Sequence, residues 1–140
     1  MFTGLIQDTA RVVDVREAGE GKRVILESDI LQKLEKGDSV SISGTCLTVE
    51  DSEKGQFFLA EETMDRTWFD SIQEDDILNM ELPLRPEDRM GGHYVQGHIE
   101  ETVELLEIKE LEEGWNLWFS KPETDFLVKK GFVSLEGISL

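Results

Sequence analysis

Val40-Ser41-Ile42-Ser43-Gly44-Thr45-Cys46-Leu47 (residues 40–47) is matched, 93 positions later, by Val133-Ser134-Leu135-Glu136-Gly137-Ile138-Ser139-Leu140 (residues 133–140). Both octapeptides place a glycine between alternating apolar residues, the pattern of two β-strands joined by a tight turn. With the same offset and no gap, residues 4–47 align with residues 97–140, and 12 of the 44 pairs are identical. Ordinary composition gives about three identical pairs. We therefore predict that the chain carries two copies of one unit.

The second copy is present only in part, because a unit of 93 residues leaves 47 of the 140 residues. We predict a first domain at residues 1–92 and the first half of a second at residues 93–140. Leu140 aligns with Leu47, which continues in the first copy into a predicted strand. A chain that stops within a strand leaves an unpaired apolar edge, which promotes aggregation. We therefore expect that the sequence is truncated at its C-terminus.

Short strands separated by turn residues dominate the first copy. We predict strands at residues 5–16, 22–27, 39–43, 45–50, 56–61 and 76–82, a short helix at 30–36 with Asp29 as its cap, and a short helix or irregular crossover at 62–71. A polar linker at 85–92 leads to further strands at 98–108 and 115–119. Six short strands with turns every ~8–12 residues are typical of a small antiparallel barrel or sandwich. The fold class is therefore all-β.

The chain is strongly acidic, with 31 Asp and Glu against 14 Lys and Arg and a net charge of −17. This balance argues against binding to nucleic acid or an anionic membrane, since both require a basic surface. No apolar run approaches ~18 residues, and the N-terminus lacks the features of a signal peptide. The single cysteine, Cys46, excludes an intrachain disulfide and fits a reducing compartment, so we expect a cytoplasmic protein.

Few side chains are candidates for chemistry, and Cys46 and His98 are the most informative. In an extended strand Cys46 and Thr48 share one face, so Cys46 faces a cleft or the outside if Leu47 fills the barrel. The alternative is that a lone cysteine is a small buried apolar residue. His98 stands where the first copy has Leu5, and a residue type that breaks the repeat is a functional candidate. A hydrogen-bonded structural histidine is the alternative.

Neither a metal site nor a phosphate-binding loop is predicted. His93 and His98 are five residues apart, so they lie on opposite faces if extended, and no third clustered Cys or His completes a zinc site. The glycines of residues 91–97 are not followed by a Lys-Ser/Thr pair or a helix, as a phosphate loop requires. We expect them to permit close backbone approach to a ligand or a tight domain crossover.

Five parts of the chain, in order, resemble the riboflavin synthase α chain. They are Met1-Phe2-Thr3-Gly4-Leu5-Ile6, Ser43-Gly44-Thr45-Cys46-Leu47-Thr48-Val49, Glu62-Thr63-Met64-Asp65-Arg66-Thr67, Gly91-Gly92-His93-Tyr94-Val95-Gln96-Gly97-His98-Ile99, and Lys130-Gly131-Phe132 with Gly137-Ile138-Ser139-Leu140. The resemblance spans all 140 residues. It implies tandem six-stranded Greek-key antiparallel barrels, the second incomplete in this chain. It also implies a homotrimer of the full-length protein, with association with lumazine synthase as a further expectation.

The activity implied by this resemblance is the last step of riboflavin biosynthesis. Two molecules of 6,7-dimethyl-8-ribityllumazine dismutate to riboflavin and 5-amino-6-ribitylamino-pyrimidinedione, without a metal or cofactor. The protein then needs only to orient two rings and move protons. A non-catalytic antenna protein that binds lumazine or flavin on the same fold is the alternative, and the presence of Cys46 and His98 favours the enzyme. The 140-residue fragment itself could be inactive, because its second site is incomplete.

The resemblance also implies which residues form the site. His98 is the implied proton-transfer group, Cys46 a nucleophile or acid–base partner, and Ser39 a catalytic hydrogen-bonding group. The implied substrate-binding residues are Gly4, Leu5, Ile6, Cys46, Leu47, Thr48, Phe58, Leu59, Ala60, Glu61, Glu62, Thr63, Gly97, His98, Ile99, Lys130, Gly137, Ile138 and Ser139. One departure is Ser43-Gly44, where many relatives carry Asn-Gly before the cysteine.

Overall fold

The computed structural model describes all residues 1–140, and most of its regular structure is β-strand. The first six strands are β1 (Asp8–Ala18), β2 (Gly21–Glu27), β3 (Ser39–Ile42), β4 (Thr45–Asp51), β5 (Gln56–Leu59) and β6 (Ile77–Glu81). The helical segments are a 3-10 helix at Asp29–Lys33, α1 at Glu61–Arg66 and a second 3-10 helix at Trp68–Ser71. The last four strands are β7 (Leu105–Leu111), β8 (Gly114–Phe119), β9 (Ser134–Leu135) and β10 (Ile138–Ser139). None of these helices has the length and apolarity to cross a bilayer.

The first six strands close into an antiparallel barrel in the order β1-β2-β5-β4-β3-β6, with β6 pairing back to β1. The chain skips from β2 to a pairing with β5, and β3 lies beside β6, which is a Greek-key arrangement. The predicted all-β barrel of six strands is confirmed. The strands β7–β10 form two separate hairpins that do not close into a second barrel.

Alternation along the strands fills the barrel with apolar side chains. The cluster inside it includes Val12, Val24, Leu26, Val40, Ile42, Leu47, Val49, Phe57, Leu59, Leu78 and Met80, all buried. In β4, Leu47 and Val49 point inward, whereas Cys46 is half-buried and Thr48 is exposed. This confirms the predicted division of β4 into a core face and an outer face, and it places the Cys46 thiol outside the core.

Two predicted strands begin later than their sequence patterns indicate. The strand predicted at residues 5–16 begins at Asp8, because Gly4 turns the chain with a φ of +77° before the barrel starts. The strand predicted at residues 98–108 begins only at Leu105. The helix predicted at residues 30–36 is a 3-10 helix that starts at Asp29 after Ser28 and ends at Lys33, so Asp29 is not its cap.

The strands after the barrel reproduce the pairing of β1–β4 with an offset of 93. The matching pairs are Val15–Val24 and Ile108–Leu117, Ala18–Gly21 and Leu111–Gly114, and Ser41–Cys46 and Ser134–Ser139. The bulge between Val12 and Asp14 recurs between Leu105 and Glu107. Ser43 and Glu136, which are equivalent, both have a positive φ, 44° and 51°, and each precedes a positive-φ glycine, as in a type I′ hairpin turn.

Glu50 on β4 links β2 and β5 through its side chain, and the ionised carboxylate stabilises the folded state. Its carboxylate accepts hydrogen bonds from Arg23 and Gln56, both 2.9 Å long, and the bond from Arg23 holds the pKa of Glu50 below its ordinary value. A carboxylate whose pKa is lower in the folded than in the unfolded chain stabilises the fold above the unfolded pKa. That contribution disappears as the pH falls through the folded pKa.

We expect the free energy of unfolding of Glu50→Gln to fall less than that of the wild type between pH 6 and pH 3, measured by denaturant unfolding. Glu17→Gln, which removes an exposed carboxylate without an ion pair, should retain the wild-type pH dependence.

Candidate functional site

Four segments meet where the first barrel touches the residues that follow it. They are residues 2–6, 44–46, 92–99 and 136–139, and we refer to this meeting place as the junction. Phe2 and Val95 exchange two backbone hydrogen bonds, of 2.8 and 3.1 Å. These bonds fasten the N-terminal segment to the segment that leads into the second set of strands.

Two further backbone bonds of the junction are equivalent to one another under the offset of 93. The Cys46 amide donates to the Gly97 carbonyl at 2.8 Å, and the Ser139 amide donates to the Gly4 carbonyl at 2.8 Å. Cys46 aligns with Ser139, and Gly4 aligns with Gly97. The junction therefore has a local two-fold arrangement, with a thiol at one of two equivalent positions and a hydroxyl at the other.

Glycine is required at the crossing points. A Cβ at Gly97 would lie 2.7 Å from the Cβ and 2.8 Å from the backbone nitrogen of Cys46, and φ there is +80°. A Cβ at Gly4 would similarly lie 2.6 Å from the Cβ of Ser139. Both positions thus combine a left-handed backbone with direct strand contact. Gly97 therefore permits the close approach of the 92–99 segment to β4.

The outer face of β3 and β4 carries a row of polar side chains that ends at the junction. Ser39 lies opposite Thr48, and Ser41 lies opposite Cys46. Directly opposed residues of an antiparallel pair share one face of the sheet, so these four side chains form a polar stripe, which we call the Ser39–Cys46 stripe. Ser41 is buried there, and it was not among the predicted site residues although it alternates with the core residues of β3.

His98 follows directly after the glycine that contacts Cys46. Because the Gly97 carbonyl accepts from the Cys46 amide, the backbone entering His98 is held next to β4. The His98 side chain is exposed, whereas Gly97 itself is buried. The backbone that leads into the exposed His98 therefore lies next to the half-buried Cys46, at one end of the Ser39–Cys46 stripe.

His93 belongs to the other half of the junction. Its Nδ1 lies 2.7 Å from the Ser139 hydroxyl oxygen, and its ring stacks on Phe132 with centroids 5.0 Å apart and an interplanar angle of 14°. Its amide donates to the Thr3 carbonyl at 3.1 Å. His93 therefore contacts the Ser139 half of the junction, whereas His98 follows the Gly97 that contacts Cys46.

The structure gathers some of the predicted substrate residues and leaves others apart. Gly4, Cys46, Gly97, Gly137 and Ser139 make direct contacts within the junction, and the Ile6 side chain reaches within 3.4 Å of a Cβ built at Gly137. Leu5, Leu47, His98, Ile99 and Ile138 adjoin these residues in the chain. Ser39 and Thr48 lie along the stripe.

The remaining predicted residues take no part in the hydrogen bonds of the junction. Phe58 lies on the outside of β5, where the Arg23 guanidinium carbon is 5.5 Å from the centroid of the Phe58 ring. Leu59 is buried in the core. Ala60, Glu61, Glu62 and Thr63 precede or form α1, where Glu62 pairs with Arg66. Lys130 is exposed in a turn, with a φ of 63°.

Comparison with known proteins agrees with this architecture. A sequence profile described as the lumazine binding domain matches residues 3–83. The chain belongs to the lumazine-binding domain family. It is 33% identical to the riboflavin synthase of Bacillus subtilis (strain 168) and 35% identical to that of Schizosaccharomyces pombe. Each alignment includes 100% of this chain, and it includes 67% of the former protein and 71% of the latter. This member of the lumazine-binding family therefore spans about two thirds of the length of the relatives it matches.

The fold is shared with solved structures of LumP. The crystal structure of LumP complexed with 6,7-dimethyl-8-(1'-D-ribityl) lumazine superposes with a TM-score of 0.85 at 21% identity, covering 100% of this chain and 78% of that one. The riboflavin complex of LumP gives a TM-score of 0.85 at 22% identity. At this identity the comparison establishes the fold alone.

Proposed function

We propose that this lumazine-binding family member binds 6,7-dimethyl-8-ribityllumazine at the junction and serves as a riboflavin synthase. The observation that supports this proposal is the Cys46–Gly97 backbone bond, which holds the backbone adjacent to His98 against β4 at the Cys46 end of the Ser39–Cys46 stripe. The similarity to riboflavin synthases over the whole chain supports the same assignment.

In the proposed reaction two lumazines exchange a four-carbon unit, and the protein supplies proton transfers and alignment. The C7 methyl of one lumazine is acidic because its carbanion is delocalised into the heterocycle. His98 accepts that proton, and imidazole suits this task because its pKa is ordinarily close to neutrality. Cys46 adds to, or exchanges a proton with, the second lumazine. Ser39 and Thr48 offer hydroxyl groups to polar atoms of the ligand along the stripe.

Binding without turnover is the second candidate. The observation that favours it is that the Cys46 thiol makes no hydrogen bond to the His98 imidazole in this structure. A protein that only holds lumazine or flavin needs a binding surface for the ring but not a proton relay. The two candidates differ in one measurable outcome, namely whether the substrate is converted to riboflavin.

The wider organisation follows from the same proposal. We infer that residues 1–92 form one lumazine-binding unit and that residues 93–140 begin a duplicate of it, supported by the shared register at an offset of 93. The resemblance to riboflavin synthase supports a homotrimer when the protein is full length, association with lumazine synthase, and a cytoplasmic location.

The central experiment measures binding and turnover separately. The purified chain is titrated with 6,7-dimethyl-8-ribityllumazine by fluorescence, and riboflavin formation is followed at saturating ligand. For an active enzyme, we expect His98→Gln to bind lumazine within about threefold of the wild type, while riboflavin formation falls by about 100-fold, because general acid–base groups contribute ~10²–10⁴ in rate. Glu17→Gln is the control and should match the wild type in both assays.

Three outcomes separate the candidates. Riboflavin formation by the wild type would establish the enzyme, whereas binding without riboflavin would show that this chain binds lumazine but does not carry out the reaction by itself. Riboflavin formation undiminished in His98→Gln would refute the assignment of His98. Absence of lumazine binding by the folded wild-type chain would reject both candidates.

A further inference from the structure

A buried carboxylate, Glu81, holds the N-terminal segment, and the proposed reaction does not use it. Glu81 ends β6 and is 1% exposed. Its Oε1 accepts from the Thr3 amide and from the Thr3 hydroxyl, both at 2.6 Å, and its Oε2 accepts from the Gly4 amide at 2.9 Å. No lysine, arginine or histidine forms an ion pair with it.

This arrangement is specific for a carboxylate. A buried carboxylate is unfavourable unless hydrogen-bond donors replace its water, and here three donors from two adjacent residues do so. A glutamine side chain would present one amide NH₂ toward a donor of Thr3 or Gly4, because an amide has only one acceptor oxygen. The charge and both oxygens of Glu81 are therefore used to fix residues 3 and 4.

The fixed segment leads directly to the predicted ligand-binding residues. The Thr3 hydroxyl that donates to Glu81 also accepts from the Leu5 amide at 3.3 Å. The Gly4 carbonyl accepts from the Ser139 amide, and the Thr3 carbonyl accepts from the His93 amide. One carboxylate at the end of β6 thus sets the position of residues 3–5 on which both halves of the junction are built.

We propose that Glu81 is a positioning residue of the lumazine site, which it orders through Thr3 and Gly4 without touching the ligand. This inference rests on the proposed lumazine binding at the junction. Positioning predicts that ligand affinity depends on the carboxylate and on the Thr3 hydroxyl, although neither contacts the ligand.

The first test compares Glu81→Gln with the wild type. We expect the dissociation constant for 6,7-dimethyl-8-ribityllumazine to rise by about tenfold or more, because residues 3–5 of the junction lose the charged hydrogen-bond acceptor that positions them. Hydrogen exchange of the Gly4 and Leu5 amides should accelerate in the same variant, while exchange of core amides in β2 and β5 stays slow. Exchange does not require a ligand, so it tests the anchoring independently of the proposed function.

A second pair of variants separates positioning from folding. Thr3→Val removes the hydroxyl that links Glu81 to Leu5, and Thr3→Ser keeps it. We expect weaker lumazine binding for Thr3→Val and near-wild-type binding for Thr3→Ser. This pair decides the question if Glu81→Gln does not fold.

The outcomes distinguish this role from the proposed function. A folded Glu81→Gln that binds lumazine as tightly as the wild type would overturn the positioning role and leave lumazine binding intact. Equal affinity losses in Thr3→Val and Thr3→Ser would overturn it too. A wild-type chain that does not bind lumazine would overturn the proposed function, whereas slow exchange at Gly4 and Leu5 in Glu81→Gln would overturn the anchoring itself.

Discussion

Gly97→Ala is expected to disrupt the junction and to weaken lumazine binding severely, although it adds only one methyl group. The new Cβ would meet the Cys46 backbone nitrogen at 2.8 Å and the Cys46 Cβ at 2.7 Å, and β4 cannot yield because its other face packs in the core. The substituted residue would also have to adopt a φ of +80°. We expect the free energy of unfolding to fall by about 3 kcal/mol or more, as for an overpacked and strained site.

Gly19→Ala is the matched control for this substitution. Gly19 has a similar φ of +69°, but no atom lies within 4 Å of a Cβ built there. It therefore carries the backbone penalty without the collision, about 1–2 kcal/mol for a left-handed residue. Denaturant unfolding and lumazine titration of both variants measure the difference. Equal losses of stability in the two variants, with lumazine binding retained in Gly97→Ala, would show that the Gly97–Cys46 crossing is not needed.

Much of the fold was predictable because it depends on local patterns. Alternation of apolar residues located the six strands, and the core face of β4 followed from the spacing of Leu47 and Val49. The offset of 93 between the two hairpins could be read from the chain without a structure. These features repeat at short or fixed spacing, so sequence alone reveals them.

The anchoring of the site could not be predicted, because its partners are far apart in the chain. Glu81 is separated from Thr3 by 78 positions, and its surrounding sequence reads as the end of an ordinary strand. The strand predicted from residue 5 is wrong at its start for the same reason: Glu81 and the left-handed Gly4 override the local β pattern. The pairing of His93 with Ser139 was not predicted either, because 46 positions separate the two residues and no local pattern links them.

Phe2→Ala is expected to release the N-terminal segment from the junction while the barrel stays folded. Phe2 is 0% exposed, yet it lies outside the barrel core, and its backbone is paired to Val95. Truncating a fully buried phenylalanine destabilises its surroundings by about 3–5 kcal/mol, through lost burial and the cavity left behind. Since Phe2 is not part of the barrel core, we expect this loss to appear as local opening of the junction. The amides of Val95, Cys46 and Ser139 should exchange rapidly with solvent, and lumazine affinity should fall with them.

Phe126→Ala provides the comparison, because the same ring is removed at a position that is 86% exposed. It should change neither exchange at the junction nor the affinity for lumazine, since little burial is lost. Amide exchange measured by NMR on both variants separates a docking residue from a general apolar requirement. Protected Cys46 and Ser139 amides in Phe2→Ala would mean that the two equivalent strand contacts hold the junction without Phe2. Simultaneous exposure of β2 and β5 would mean instead that barrel and junction unfold as one cooperative unit.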